Sequence, residues 1–191
     1  MKFLEEQIIK HGKIISKDIV KVDSFLNHQL DPYILDTISD SFVKKFSHLE
    51  PTKILTIEAS GIAIAMLMGV KMGIPVIFAK KKKPSTMTES FYYSEVFSYT
   101  KKEKNGIVVS KEFLNNDDKV LIVDDFLAMG AASFGLIDIV KQSQGEVVGI
   151  GIAVEKGFQQ GGKILREKGY NLHSLAIIEK IEDERIYFRD N

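Results

Sequence analysis

Lys119-Val-Leu-Ile-Val-Asp-Asp-Phe-Leu-Ala-Met-Gly-Ala-Ala-Ser133 is the stretch whose reading decides the fold. Val120 to Val123 is a continuous apolar run, suited to a strand of a parallel sheet covered on both faces. Asp124 and Asp125 follow where such a strand should end, and then come Ala128, Gly130, Ala131, Ala132 and Ser133, all small. Phe134, Leu136, Ile137, Ile139 and Val140 can line the apolar side of a helix that stops near Gly145. The pattern is strand, acidic pair, small-residue loop, helix. Small side chains let the N–H groups of a loop approach a phosphate, and the helix start adds partial positive charge. Two adjacent acids suit the paired hydroxyls of a sugar or the surroundings of a hydrated cation. A ribose carrying a 5-phosphate would satisfy both halves.

The same rhythm extends to either side. Upstream, Ile54 to Ile57 predicts a strand, Glu58-Ala-Ser-Gly61 a turn, and Ala63, Met66, Leu67 and Val70 a helix, before a second strand over Pro75 to Ala79. Downstream, Val147 to Val154 predicts another buried strand, with a helix near Gly162 to Lys168, a strand over Leu175 to Ile178 and an edge strand over Ile186 to Phe188. Alternating strands and helices imply an α/β fold with a mainly parallel sheet and ligands at the carboxyl ends of its strands. Before this core, residues 2 to 11 have helical spacing, residues 14 to 30 read as a short β-rich excursion, and Ile34 to His48 as an amphipathic helix. Residues 91 to 99 and 106 to 110 read as a hairpin. The irregular zones, 12 to 31 and 80 to 105, are where departures that carry function are expected.

Composition sets the bounds. The chain has 191 residues, 26 Lys and Arg against 26 Asp and Glu, and no cysteine. That length fits one α/β domain. Zero net charge argues against a dedicated nucleic-acid surface, and the missing thiols exclude disulfides and thiolate metal or redox sites. The acids of Met1-Lys-Phe-Leu-Glu-Glu-Gln7 do not fit a signal peptide, and no apolar run approaches the roughly 20 residues a bilayer requires. The expectation is a cytoplasmic protein with no membrane partner.

Two further stretches offer chemistry at strand ends. Ser60 brings a hydroxyl, and Gly61 admits backbone angles that aim N–H groups at an anion. The Lys80 to Lys83 run follows the second strand, and Pro84 to Ser90 is polar, as a lid over a site should be. Lys156 lies two residues beyond the Val154 strand, where an ammonium can donate to an exocyclic oxygen of a purine, with Phe158 near enough in sequence to stack on the ring.

The Val120 to Ser133 stretch resembles the phosphoribosyl-pyrophosphate (PRPP) loop of the type I phosphoribosyltransferases, and Glu58-Ala-Ser-Gly61 resembles their pyrophosphate loop, with Ser60 in place of an arginine. Lys21-Val-Asp-Ser-Phe-Leu-Asn27-His-Gln, Thr56 to Gly61, Phe78-Ala-Lys-Lys81, Thr86-Met-Thr-Glu and Val154-Glu-Lys156 together are most similar to the bacterial xanthine phosphoribosyltransferases. The resemblance implies the type I phosphoribosyltransferase fold, with a hood and helix over residues 1–48 contributing to base recognition and a core over 49–191. It implies transfer of phosphoribose from PRPP to N9 of xanthine, giving XMP and pyrophosphate. PRPP contacts are implied over Ala128, Met129, Gly130, Ala131, Ala132 and Ser133, and pyrophosphate contacts at Ala59, Ser60 and Gly61. Asp124 and Asp125 would hold the ribose hydroxyls, and Lys81, or its neighbour Lys80, would reach the pyrophosphate. Val20 (leucine is usual there), Asn27, Lys156 and Phe158 would meet the base. Mg²⁺ would enter with PRPP and pyrophosphate rather than at a metal site of the protein, and the protein would form a homodimer.

The chain departs from the pattern in ways that matter. Most type I loops carry a Thr-Gly-x-Thr phosphate turn; Met129-Gly130-Ala131-Ala132 has no hydroxyl. The xanthine enzymes more often have Asn and Gln at the positions of Met129 and Ala131. Hypoxanthine-guanine enzymes place an Asp where Ala128 stands, so this motif names no carboxylate general base. Two alternatives stay open: a hypoxanthine or guanine phosphoribosyltransferase, and a PRPP-sensing regulator of the same fold that binds nucleic acid.

Overall fold

The computed structural model describes residues 1–81, 90–98 and 103–189. Its centre is a six-stranded sheet. In chain order the strands are β3 (Lys53–Ile57), β4 (Val76–Ala79), β7 (Lys119–Leu127), β8 (Glu146–Lys156), β9 (Leu172–Glu182) and β10 (Arg185–Phe188). In space the order is β10-β9-β8-β7-β3-β4, parallel except for the β9–β10 hairpin. Helix α3 (Gly61–Met72) links β3 to β4, α4 (Ala131–Gln142) links β7 to β8, and α5 (Gln160–Glu167) links β8 to β9.

The two-residue period of the strands divides the core. Ile54, Leu121 and Val123 face α1 (Lys2–His11), α2 (Pro32–Phe46) and α3. Leu55, Ile57, Val120 and Ile122 face α4 and Leu165 of α5 on the other side. Two strand glycines let α2 approach: a Cβ on Gly149 would lie 2.9 Å from Phe46, and one on Gly151 would lie 3.1 Å from Phe42. Each of these fully buried phenylalanines contributes about 1.5–3 kcal/mol of apolar burial. Asp31 caps α2, its Oδ1 accepting from the N–H of Tyr33 and Ile34, with Pro32 in the first turn.

Beyond the sheet lie two hairpins. β1 (Lys13–Ser16) pairs with β2 (Ile19–Lys21), and β5 (Phe91–Ser98) with β6 (Glu103–Ser110). Lys80 bridges to Val108, tying the second hairpin to the end of β4. Gly135 lets Val96 and Ile107 press on α4.

Several boundaries differ from the expectation. β7 does not stop before the acids: it continues through Asp124 and Asp125 to Leu127, because β8 keeps pairing with it to Val154 and Glu155. For the same reason Lys156 is the last residue of β8, paired to Ile178, rather than a residue beyond the strand. The excursion after α1 is β-structured only to Lys21; Asp23–Asn27 forms a π turn whose Phe25 and Leu26 are buried. Lys82, Lys83 and the proposed lid as far as Glu89 lie outside the described residues. No helix among the described residues is long and apolar enough to cross a membrane.

Candidate active site

A cavity of about 800 Å³ opens at the carboxyl ends of β3, β7 and β8. Its floor is the start of α4. Gly130 precedes that helix with φ 85°, ψ 5°, and neither a side-chain cap nor an acid occupies the first turn. The N–H groups of Ala131, Ala132 and Ser133 therefore begin a helix with its donor end unclaimed by side chains. Ala128 to Ser133 all line the cavity, although Ser133 is itself almost fully buried.

A second helix start faces the same space. Ala59 and Ser60 line it ahead of α3, which also lacks a side-chain cap and a first-turn acid. The Glu58–Ala59 peptide is cis. Glu58 turns its carboxylate to the N–H of Lys81 at 2.5 Å, so the two loops are joined. Lys81 lines the cavity, whereas the ammonium of Lys80 stands over the Phe78 ring. Gly61 has a different reason from the one expected. Its backbone is helical, not left-handed. A Cβ there would lie 2.2 Å from Thr56 Oγ1 and 3.0 Å from Asp124 Oδ1, so glycine is required for close packing.

Between the helix starts sits the acidic pair. Asp124 is only 5 % exposed, and its Oδ1 accepts the N–H of Asp125 at 3.0 Å. Burial, and then the charge of Asp125, push the Asp124 carboxyl well above the usual range, with Lys81 opposing. Asn27 leaves the π turn to reach this pair: its Nδ2 donates to Asp125 Oδ2 at 2.5 Å and to Ser60 Oγ at 3.2 Å. Buried Phe25 and Leu26 fix the turn that aims it.

The far wall belongs to β8 and the hood. Lys156, Phe158 and Gln159 line the cavity, and Lys156 Nζ donates to the carbonyl of Asp18 at 2.8 Å. Burial lowers the pKa of Lys156, with Asp18 opposing. From the hood, Asp18 and Ile19 line the wall, while the Val20 side chain is buried in the core. Any contact from Val20 to a ligand must therefore come from its main chain. Sequence reasoning missed Asp18, Ile19, Glu58, Phe126 and Gln159, which line the same cavity. Only Glu58, heading the Glu-Ala-Ser-Gly turn, carried a local signal.

Together these groups form one concave site with two helix starts for anions, an acidic pair between them, and a lysine with an aromatic ring at the far side. No protein-family model matches the chain. The xanthine phosphoribosyltransferase of Oceanobacillus iheyensis is 51% identical over 190 residues, covering 100% of this chain and 98% of that protein. That of Ruminiclostridium cellulolyticum is 52% identical, covering 100% of both. Among solved structures, adenine phosphoribosyltransferase from Rhodothermus marinus superposes with TM-score 0.76 at 20% identity, covering 93% of this chain and 100% of that one. The Giardia lamblia enzyme complexed with 9-deazaadenine gives TM-score 0.75 at 19% identity, covering 91% and 96%. The solved structures share the fold, and identity near one half along the whole length settles the lineage: the chain belongs to the xanthine phosphoribosyltransferase family.

Proposed function

We propose that the protein transfers the 5-phosphoribosyl group of PRPP to N9 of xanthine, releasing pyrophosphate and forming XMP. The observation that carries this reading is the pair of uncapped helix starts set around an acidic pair in one cavity of about 800 Å³. PRPP has two anionic ends joined by a dihydroxylated ring, and that is the order of groups the cavity offers.

In this reading the α4 start, through the N–H groups of Ala131 to Ser133, receives the 5-phosphate. Asp124 and Asp125 accept from the ribose hydroxyls. Ala59 to Gly61 and Lys81 receive the pyrophosphate. As the C1–oxygen bond to pyrophosphate breaks, positive charge builds on C1 and negative charge on the departing group. Donors already fixed around that group lower the barrier without reorganising. N9 of xanthine forms the new bond to C1, and the imidazole proton passes to solvent water. Xanthine is partly anionic at neutral pH, so alignment rather than a strong base is the main requirement. Lys156 donates to an exocyclic oxygen of xanthine, Phe158 covers the ring, and Asn27 and the Asp18–Val20 segment close the hood over it.

Asp124 and Asp125 are hard oxygen donors beside the ribose position, a set that suits a hydrated Mg²⁺ arriving on PRPP. When bound, the cation supplies charge neutralisation of the pyrophosphate. The family resemblance further supports a homodimer working in the cytoplasm, which light scattering of the purified protein and fractionation of cells would test.

Steady-state assays with PRPP and each of xanthine, guanine, hypoxanthine and adenine test the reading. Xanthine should give the largest kcat/KM, with stoichiometric XMP and pyrophosphate. Preference for adenine would refute the base assignment, and binding of PRPP without turnover of any base would refute the enzymatic reading.

A further inference from the structure

The phosphate loop has no hydroxyl of its own in Met129-Gly130-Ala131-Ala132, so the aim of its N–H groups depends wholly on where its backbone is held. What holds it is α5. The N–H of Gly161 donates to the carbonyl of Ala128 at 3.1 Å. A Cβ on Gly161 would lie 2.4 Å from that oxygen, 2.6 Å from the nitrogen of Gly130 and 2.7 Å from the carbonyl carbon of Met129. From the other side, a Cβ on Gly162 would lie 2.0 Å from Glu155 Oε1. The first turn of α5 is thus clamped between the phosphate loop and the Glu155 carboxylate.

Glu155 is 2 % exposed and leaves β8 one residue before Lys156. Arg166, near the end of α5, engages it with both guanidinium nitrogens, Nη1 to Oε1 and Nη2 to Oε2, each at 2.7 Å. The hydroxyl of Ser174 on β9 donates to Oε2 as well. A bidentate fork fixes direction as well as distance, and a charge this buried requires its partners. The fork, with Ser174, holds Glu155 below the usual carboxylate range despite its burial. None of these three side chains lines the cavity.

We propose that Glu155 and Arg166 are positioning residues for PRPP: they seat α5 as the wall that moulds Ala128 to Gly130, and so set the affinity for the 5-phosphate without touching it. This rests on the assignment of that loop to PRPP. The loop should therefore respond to the fork while the base site responds little.

The test uses the full chain in three variants. Arg166→Met keeps the apolar stem and removes the fork; Arg166→Lys keeps the charge without the second bond; Gly161→Ala presses on the loop directly. PRPP binding without base is measured by calorimetry, alongside both KM values and thermal unfolding. Arg166→Met and Gly161→Ala should weaken PRPP binding at least tenfold with the KM for xanthine within twofold, and Arg166→Lys should fall between wild type and Arg166→Met. Should Arg166→Met not fold, Arg166→Lys decides by the same split. Unchanged PRPP binding in a folded variant, or equal losses for both substrates, overturns the proposal. A wild-type protein that binds no PRPP and makes no XMP overturns instead the reading of the site itself.

Discussion

Replacing Asp124 with asparagine should stabilise the fold while crippling catalysis. The side chain is nearly buried and stands beside a second carboxylate. Asparagine has the same volume and keeps an Oδ1 to accept the N–H of Asp125, so the substitution removes charge with little change of packing. The folded pKa lies above the unfolded value of about 3.9, so over that window the native state binds more protons than the unfolded chain. Stability contributed by this residue is therefore present at low pH and is lost as pH rises through its folded pKa. Above that point the wild type carries an unfavourable charge that Asp124→Asn does not. Single stabilising substitutions are commonly worth about 0.5–2 kcal/mol, the range expected here. In a chain of this length about 1 kcal/mol corresponds to a rise in Tm of roughly 2–4 °C.

The assay is thermal unfolding of both proteins, without ligand, across a pH series. The gap should be largest at about pH 8 and close toward pH 4, where both states of the wild type become protonated. On the proposed contact of Asp124 with a ribose hydroxyl, the variant should lose a charge-assisted hydrogen bond worth about 1.5–3 kcal/mol, or roughly 10- to 150-fold in kcat/KM. A variant less stable than wild type at about pH 8, or a gap that does not vary with pH, would refute the reasoning. It would mean that something in the fold favours the ionised acid.

Three further predictions address other parts of the cavity. Lys156→Met keeps the apolar stem but removes the ammonium, and should cut kcat/KM for xanthine about 10- to 150-fold in steady-state assays while PRPP binding stays within twofold. Gly130→Ala meets both φ 85° and a Cβ position 2.9 Å from Phe134 Cε2, so it should cost about 1–3 kcal/mol, read as weaker PRPP binding by calorimetry and a lower Tm. Thr56→Val replaces a fully buried hydroxyl that has no hydrogen-bond partner among the described residues, and should leave Tm unchanged or raise stability by up to about 1 kcal/mol; a fall of several degrees in thermal unfolding would reveal a partner for that oxygen.

The parts of this molecule legible in the sequence are those where a local pattern has a local cause. The apolar run Val120 to Val123, the glycine-containing turn and the amphipathic Phe134 to Val140 fall into strand, loop and helix because each period matches its element. The end of β7 was not legible, since it depends on β8 remaining alongside as far as Glu155, a pairing between segments 28 residues apart that no window contains. Gly61 illustrates a different failure. Its local role looked conformational, but the reason for glycine is packing: a Cβ would lie 2.2 Å from Thr56 Oγ1 on β3, with Asp124, 63 positions away, closing the other side at 3.0 Å. Val20 shows how a register of one residue redirects a strand: Ile14 opposes Val20, turning that side chain to the core and leaving Asp18 and Ile19 at the cavity wall. Asn27, by contrast, was reached only through resemblance, because a lone asparagine carries no periodicity, whereas Lys156 was singled out by its place at the end of the Val147 to Val154 run.

If the turn ahead of α4 receives the 5-phosphate as proposed, its lack of hydroxyls acquires a physical meaning. A threonine in such a turn binds phosphate through a side chain that can rotate to meet it, so small errors in the backbone are absorbed. Alanines cannot adjust. Their N–H groups point wherever the chain directs them, and a donor displaced by an ångström or tilted from its axis loses most of its bond. A loop of Met129, Gly130, Ala131 and Ala132 therefore needs stiffer support than a loop of threonines. The support is present on every side: Phe134 and Gly161 close on Gly130, the carbonyl of Gly130 accepts from Phe134 at 2.9 Å, and the Glu155–Arg166 fork locks the helix behind. On the proposed assignment of this turn to the 5-phosphate, recognition rests on a buried ion pair that does not touch the ligand rather than on side chains that do.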